Sequence, residues 1–274
     1  MIAKEEYPLV SVLFITYKRV DHLQRAVESF RRNTNYPNLE IVIADDGSGP
    51  EIQEKIRRIP ADHYALPPKN RGLGANNNAG MGLCHGKYVL MIQDDWVCYG
   101  PAEYLENAVR VMEANPEIGI INFAGGPPSP DFSMPLHGSP EACFVTPRAP
   151  TGGSHEQYIY SDQPHLQSME SFRFTGPYHE NRADEPGRAE QYYCRLWKEQ
   201  TRYKAAVFPG YRLKVFQSDA SAGSFRTTSF RNRGIAAMLP VAQKLKQSCW
   251  PVYRVGRAFF YSFVRILEVL GVVR

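Results

Sequence analysis

The chain has only five cysteines in 274 residues, at 84, 98, 143, 194 and 249, an odd number with no Cys-x-x-Cys pair. That excludes a disulfide scaffold and a cysteine-based zinc site, and it fits a reducing compartment. Long apolar runs are also missing. The first, residues 9–16, is too short to cross a bilayer and carries Ser11. The start, Met-Ile-Ala-Lys-Glu-Glu-Tyr-Pro, lacks the apolar stretch of a signal peptide. The expectation is a cytoplasmic protein, free or peripheral on the inner face of a membrane. There are no internal repeats. No Gly-x-x-x-x-Gly-Lys-Ser/Thr loop occurs, which excludes a P-loop nucleotide site.

What is present is the composition of a globular protein, 43% hydrophobic and 22% charged. The length suffices for one large domain or two small ones. The net charge of +4 conceals a split: residues 224–274 carry nine Lys/Arg against one acid, Glu268, leaving 23 Lys/Arg against 27 acids before them. A basic tail with its own partner is implied. From Pro251 to Val273 the tail is largely apolar, and Arg254, Arg257, Tyr261, Arg265 and Glu268 fall on one helical stripe about 80° wide. Three readings compete: an interfacial helix on an anionic leaflet, a helix buried against the preceding domain or a second copy, and, least favoured, a nucleic-acid arm.

Apolar runs and helical spacings alternate along the first half. Strands are expected at Leu9–Thr16, Leu39–Ala44, Tyr64–Leu66, Tyr88–Ile92 and Ile118–Phe123, and helices near 22–33, 50–58 and 102–114. Asp21 is placed to cap the first helix. The Gly/Asn-rich stretch Asn70–Gly80 reads as a loop entering a helix. Residues 124–187 read as loops with a few short strands, 188–200 as a helix, and Tyr203–Val215 as one or two strands. This alternation predicts an α/β fold with a mostly parallel sheet flanked by helices. The expected organisation is a first half over 1–125, a second half of the same domain over 126–233 and the amphipathic tail over 234–274.

Three strand ends carry the polar residues: Thr16-Tyr17-Lys18-Arg19, Asp45-Asp46-Gly47-Ser48 and Gln93-Asp94-Asp95-Trp96. Parallel neighbours place their C-terminal ends along one crevice, where open α/β sheets bind ligands. Paired carboxylates there suit a hard divalent cation, which commonly brings a phosphate with it. Each motif taken alone also reads as an ordinary turn, because Asp and Gly are turn residues. Gly72 and Gly74 permit close backbone approach, and the helix start beyond them favours a diphosphate.

Taken together and in order, Thr16-Tyr17-x-Arg19, Asp45-Asp46-Gly47-Ser48, Asn70-x-Gly72-x-Gly74 through Asn78-x-Gly80, and the apolar strand into Asp94-Asp95 resemble the glycosyltransferase family 2 pattern over about residues 9–125. The resemblance implies the A-type glycosyltransferase fold, Rossmann-like, and transfer of a monosaccharide from a nucleotide-diphosphate sugar to a glycan or lipid-linked saccharide. By this resemblance Thr16 and Tyr17 line the base pocket with Arg19 beside them, and Asp46 bonds the base. Asn70, Arg71 and Asn78 lie near base or diphosphate, Asp94 meets ribose or sugar, and Asp95 ligates Mn2+ or Mg2+.

The chain departs from the pattern twice. Gln93 stands where an acid is common, leaving Asp95 as the expected metal ligand. In Gly187-Arg-Ala-Glu190-Gln191 the second acid of the usual pair is Gln191, so Glu190 is the candidate base of an inverting reaction, with Glu180, Asp184 and Glu185 in reserve. Its other reading is a first-turn acid favoured by the helix dipole. Tyr158, Tyr160, Asp162, His165, His179 and Trp197 are candidates to meet an acceptor sugar, or plain packing. Asp219 stands near where relatives carry a metal-binding His. The alternatives in function are a nucleotidyltransferase of similar fold and a carbohydrate-binding or scaffold protein whose catalytic site has decayed.

Overall fold

The computed structural model describes residues 7–123, 133–145, 160–180, 188–200, 202–208 and 214–219. The chain divides into two units, Met1–Ala222 and Gly223–Arg274. The second lies outside the described residues, as do Tyr158, Asp184 and Glu185.

Eleven strands and six helices are described in the first unit. In chain order they are β1 (Val10–Thr16), α1 (Val20–Asn33), β2 (Leu39–Asp45), α2 (Pro50–Arg57), β3 (His63–Ala65), α3 (Leu73–Met81), β4 (Tyr88–Gln93) and β5 (Trp96–Cys98). They continue as α4 (Tyr104–Ala114), β6 (Ile118–Asn122), β7 (Ser133–Leu136), β8 (Ser139–Val145), β9 (His165–Ser168), α5 (Met169–Thr175), α6 (Arg188–Gln200), β10 (Lys204–Val207) and β11 (Phe216–Ser218). Nine strands form one sheet in the order β3-β2-β1-β4-β9-β6-β10-β8-β7, and β11 pairs with β5 in a separate ribbon. Seven strands of the large sheet run one way, and β9 and β8 run against them.

The central strands are near-continuous apolar runs because both of their faces are covered. Successive side chains of β1 serve opposite cores. Val12 and Phe14 join Leu23, Phe30, Ile43, Leu90 and Tyr104 on one face. Leu13 and Ile15 join Val42, Met81, Met91, Tyr160, Tyr193 and Trp197 on the other. Helices α1, α2 and α4 contribute to the first core, and α3, α5 and α6 pack over the second. The result is three layers, helix over sheet over helix.

Three local expectations change. Asp21 sits inside the first turn of α1, not at its cap, because the helix begins at Val20 with Arg19 as the N-cap residue. Its charge still faces the positive helix end. The stretch 124–187, read as loops with a few short strands, does contain β7, β8 and β9, the last inserted antiparallel between β4 and β6. His-Leu-Gln-Ser has no apolar alternation; its pairing comes from neighbours on both sides. It also contains α5, whose N-cap Ser168 accepts from the Ser171 N–H at 3.0 Å. The last described strand is Phe216–Ser218, beyond the expected range.

Leu90 is fully buried in β4 at the sheet centre. Leu90→Ala is expected to cost about 2–5 kcal/mol, read from the urea midpoint at unchanged slope.

Candidate active site

The register of the central strands brings the three polar strand ends together. Thr16 lies opposite Asp45 across β1–β2, and Ile15 lies opposite Gln93 across β1–β4. Main-chain bonds from Asp46 N to Thr16 O (3.1 Å) and from Asp94 N to Ile15 O (3.0 Å) carry the pairing one residue further. Asp46 and Asp94 therefore leave the sheet as flanking neighbours of the β1 end.

Asp94 is buried and holds the segment after β1. Its Oδ2 accepts from Thr16 Oγ1 at 2.8 Å and the Tyr17 N–H at 3.4 Å, and its Oδ1 accepts from Arg19 Nη1 at 3.2 Å. Lys18 makes the turn with φ +58° and donates its N–H to Ser48 Oγ at 2.7 Å. Asp95 is placed differently. Arg19 Nη1 is 4.0 Å from its Oδ2, while its buried Oδ1 has no hydrogen-bond partner among the described residues. Burial is the main reason that both carboxyls titrate above the usual range. It outweighs the Thr16 hydrogen bond and Arg19 charge at Asp94, and Arg19 at Asp95.

Asp46 anchors the second loop. Its carboxylate accepts from Asn70 Nδ2 (2.9 Å), the Arg71 N–H (3.0 Å) and the Gly72 N–H (3.1 Å). Burial raises its pKa against these bonds. Asp45, by contrast, braces its own turn, accepting from Ser48 N–H, Ser48 Oγ and Gln53 Nε2. Gly47 has φ +68°, and a Cβ there would lie 2.1 Å from the Lys69 carbonyl carbon and 2.4 Å from Asn70 N. Only glycine admits the 69–70 backbone at this position.

Gly74 likewise faces the His179 carbonyl, 2.1 Å from where a Cβ would stand, so here the close approach is of the chain to itself. Asn78 clamps the same segment. Its amide donates to Tyr178 O and accepts from the Tyr178 N–H, both at 2.9 Å, with Glu180 Oε1 at 3.3 Å. Arg71 pairs with Glu180 at 2.5 Å. His179 packs against Tyr192 with ring centroids 5.1 Å apart.

Glu190, in the first turn of α6, forms a separate cluster. Its Oε1 accepts from Ser161 Oγ at 2.8 Å and the Asp162 N–H at 3.1 Å. No described hydrogen bond or ion pair joins it to Asp94 or Asp95. Asp162 is buried and accepts from Tyr160 Oη at 2.7 Å. Burial and then the Glu190 charge push its carboxyl up to about 7, against the Tyr160 bond. Burial pushes the neighbouring His165 imidazole down to about 4. Tyr160 and Trp197 are fully buried in the second core, as packing residues are. Asp219 is tied to Asp95 by a main-chain bond of 2.7 Å, and its carboxylate pairs with Arg25 at 3.0 Å.

Two residues with structural claims on the site escape sequence reading. Asn76 Nδ2 bridges Thr16 O (3.4 Å) and Ala44 O (3.1 Å), joining α3 to both strand ends. The run Asn76-Asn77-Asn78 was the available signal, since asparagine is a poor choice in a helix interior unless its amide is used. Ser161, which orients Glu190, has no signal in the sequence.

Residues 11–163, more than half the chain, match the family model described as glycosyl transferase family 2. The chain belongs to glycosyl transferase family 2. Among curated relatives, a Bacillus subtilis (strain 168) protein, EpsH, is 31% identical over 123 residues, covering 43% of this chain and 35% of its own. Beta-1,4 N-acetylgalactosaminyltransferase 1 of Rattus norvegicus is 37% identical over 118 residues, 43% of this chain and 20% of the relative. The family 2 chain thus spans about a third or less of the length of these relatives. A Pyrobaculum calidifontis mannosyltransferase solved with GDP-Man and Mn2+ superposes with a TM-score of 0.54 at 16% identity, over 88% of this chain and 64% of its own. S. aureus TarS (residues 1–349) gives 0.53 at 16% identity, over 76% and 60%. These likenesses establish the A-type glycosyltransferase fold for the family 2 domain.

Two outcomes follow from the geometry. Gly47→Ala is expected to lower the melting temperature, since the 69–70 backbone must move. Asp162 gives a pH signature. Its pKa rises from 3.8 to about 7 on folding, so its contribution is full below the unfolded value and is lost as pH rises through the folded one. Between pH 5 and 8 the wild type should lose about 2–3 kcal/mol more stability than Asp162→Asn, measured by chemical denaturation.

Proposed function

We propose that this family 2 chain is a metal-dependent, inverting glycosyltransferase that moves a monosaccharide from a nucleotide-diphosphate sugar to a hydroxyl of a glycan or lipid-linked saccharide. The observation that carries the proposal is the unequal use of two adjacent carboxylates, Asp94 buried and Asp95 half-buried. Asp94 is engaged by Thr16, Tyr17 and Arg19, while Asp95 keeps a buried oxygen without a partner among the described residues. A buried, unpaired carboxylate oxygen is costly in the protein alone and suits a cation. The donor set therefore fits Mn2+ or Mg2+, which Asp95 would hold. The ion would supply charge neutralisation at the leaving nucleoside diphosphate.

The remaining roles belong to the chain's own side chains. Thr16 and Tyr17 line the base end of the cleft. Asp46, with acceptor capacity left on Oδ2 beyond its Asn70 bond, takes a base N–H. Asn70 and Arg71 border the base and diphosphate, Asn78 holds the 178–180 segment through Tyr178, and Arg19 holds Asp94 for a ribose or sugar hydroxyl. Glu190 is fixed through Oε1, and its Oε2 accepts no described hydrogen bond. It takes the proton of the acceptor hydroxyl as that oxygen bonds to the anomeric carbon and the carbon–phosphate oxygen bond breaks. The bond's electrons leave with the nucleoside diphosphate, and the anomeric configuration inverts. The similarity to a mannosyltransferase solved with GDP-Man and Mn2+ supports this donor and metal class. For the tail, contact with an anionic inner leaflet or a second copy is proposed; among the described residues no helix is long and apolar enough to cross a membrane.

Thermal-shift screening against UDP-, GDP- and dTDP-sugars with and without Mn2+ identifies the donor. Asp95→Asn is then expected to lose the metal-dependent part of the shift and of donor hydrolysis. Glu190→Gln should lower kcat by about 10²–10⁴-fold at unchanged donor KM, and NMR of the product should show the inverted anomer. Full activity in Asp95→Asn, or a retained anomer, would contradict the proposal.

A further inference from the structure

At the edge of the sheet opposite the crevice, three side chains converge. Glu40 is the second residue of β2, His63 opens β3, and His85 lies in the turn before β4. One ligand atom from each lies within 4.8 Å of the others. Glu40 Oε2 is 3.2 Å from His85 Nδ1 and 3.6 Å from His63 Nε2. Ligands about 2.0–2.1 Å from a tetrahedral ion lie about 3.3–3.4 Å apart, so both separations match edges of such a polyhedron. We propose that Glu40, His63 and His85 form a second metal site of the two-histidine, one-carboxylate kind, that Zn2+ occupies it, and that it clips the starts of β2, β3 and β4 together.

The surroundings orient the carboxylate for this task. Glu40 Oε1 is taken by Ser11 Oγ at 2.5 Å and the His85 N–H at 2.6 Å. Ser11 Oγ in turn accepts from the Gly86 N–H at 2.8 Å, which leaves its own proton for Glu40. Outer donors of this kind fix a ligating carboxylate and turn its second oxygen toward the ion. Gly86 makes the arrangement reachable: a Cβ there would lie 2.6 Å from Ser11 N, so only glycine brings the His85 turn against β1. Cys84 is not a fourth ligand, since its Sγ bonds to Gly80 O at 3.3 Å. The imidazoles are partly exposed, 39% for His63 and 64% for His85, while Glu40 is at 11%. The fourth position therefore faces solvent and takes water. Imidazole nitrogens suit Zn2+ better than Mg2+ or Mn2+, so the site differs in kind from the all-oxygen site at Asp95.

The test is calorimetric titration of the chelator-treated full chain with Zn2+ alone, repeated on Asp95→Asn, His85→Ala and His63→Ala/His85→Ala, with melting temperatures recorded in parallel. Co2+ titration followed by visible absorption reports coordination by nitrogen ligands. One tight Zn2+ equivalent is expected in wild type and in Asp95→Asn, with a raised melting temperature. The double histidine variant should bind at least tenfold more weakly and show no melting shift. His85→Ala, whose side chain is largely exposed, should preserve the fold and show an intermediate loss. The proposal is overturned if wild type takes up no Zn2+, if the histidine variants bind as wild type does, or if Asp95→Asn alone removes the binding.

Discussion

Buried carboxylates at the ends of parallel strands organise this domain. Register places Asp46 and Asp94 on either side of the β1 end, where neither can be solvated. Each must then be satisfied from the chain. Asp94 draws in Thr16, Tyr17 and Arg19, and Asp46 draws in Asn70 and the Arg71 and Gly72 amides. These hydrogen bonds hold the two loops that border the crevice. Asp95, one residue on, is the exception, and its unsatisfied oxygen is what a cation would meet.

Glycine makes the arrangement compact enough to work. At Gly47 the 69–70 backbone crosses where any other residue would carry a Cβ, and at Gly74 the His179 carbonyl does the same. The second crossing binds α3 to the 178–180 segment, and Asn78 reinforces it through both ends of its amide. Helix α3 and the 178–180 segment are thus mechanically joined. On that segment's far side, Tyr178 stacks on Tyr193 of α6 with ring centroids 3.9 Å apart.

The sheet has chemistry at both of its edges, and the two differ. The C-terminal edge gathers carboxylates and amides around buried strand ends. The opposite edge gathers one carboxylate and two imidazoles, with Ser11 and Gly86 as supports. Parallel strands align both sets of ends at once, so a site at one edge does not disturb the other.

How much of this was legible depended on the range of each interaction. The parallel core was legible because β1, β2 and β4 are apolar runs with strand-end acids, and their order along the chain followed from alternation with helices. The motifs Thr16–Arg19, Asp45–Ser48, Asn70–Gly80 and Gln93–Asp95 could be assembled into one crevice because parallel register is a local consequence of that alternation. The antiparallel insertion of β9, the short α5, the Ser161–Glu190 bond and the Glu40–His63–His85 cluster were not legible. Each depends on residues far apart in sequence whose meeting is decided by packing. By itself, the sequence determined the fold class and which residue types crowd the crevice, because periodicity and strand-end chemistry are local properties, and its ordered motifs carried the family resemblance. Only the tertiary structure decided which carboxylates are spent on the chain and which oxygen remains, because hydrogen-bond partners separated by tens of residues are chosen by the folded backbone.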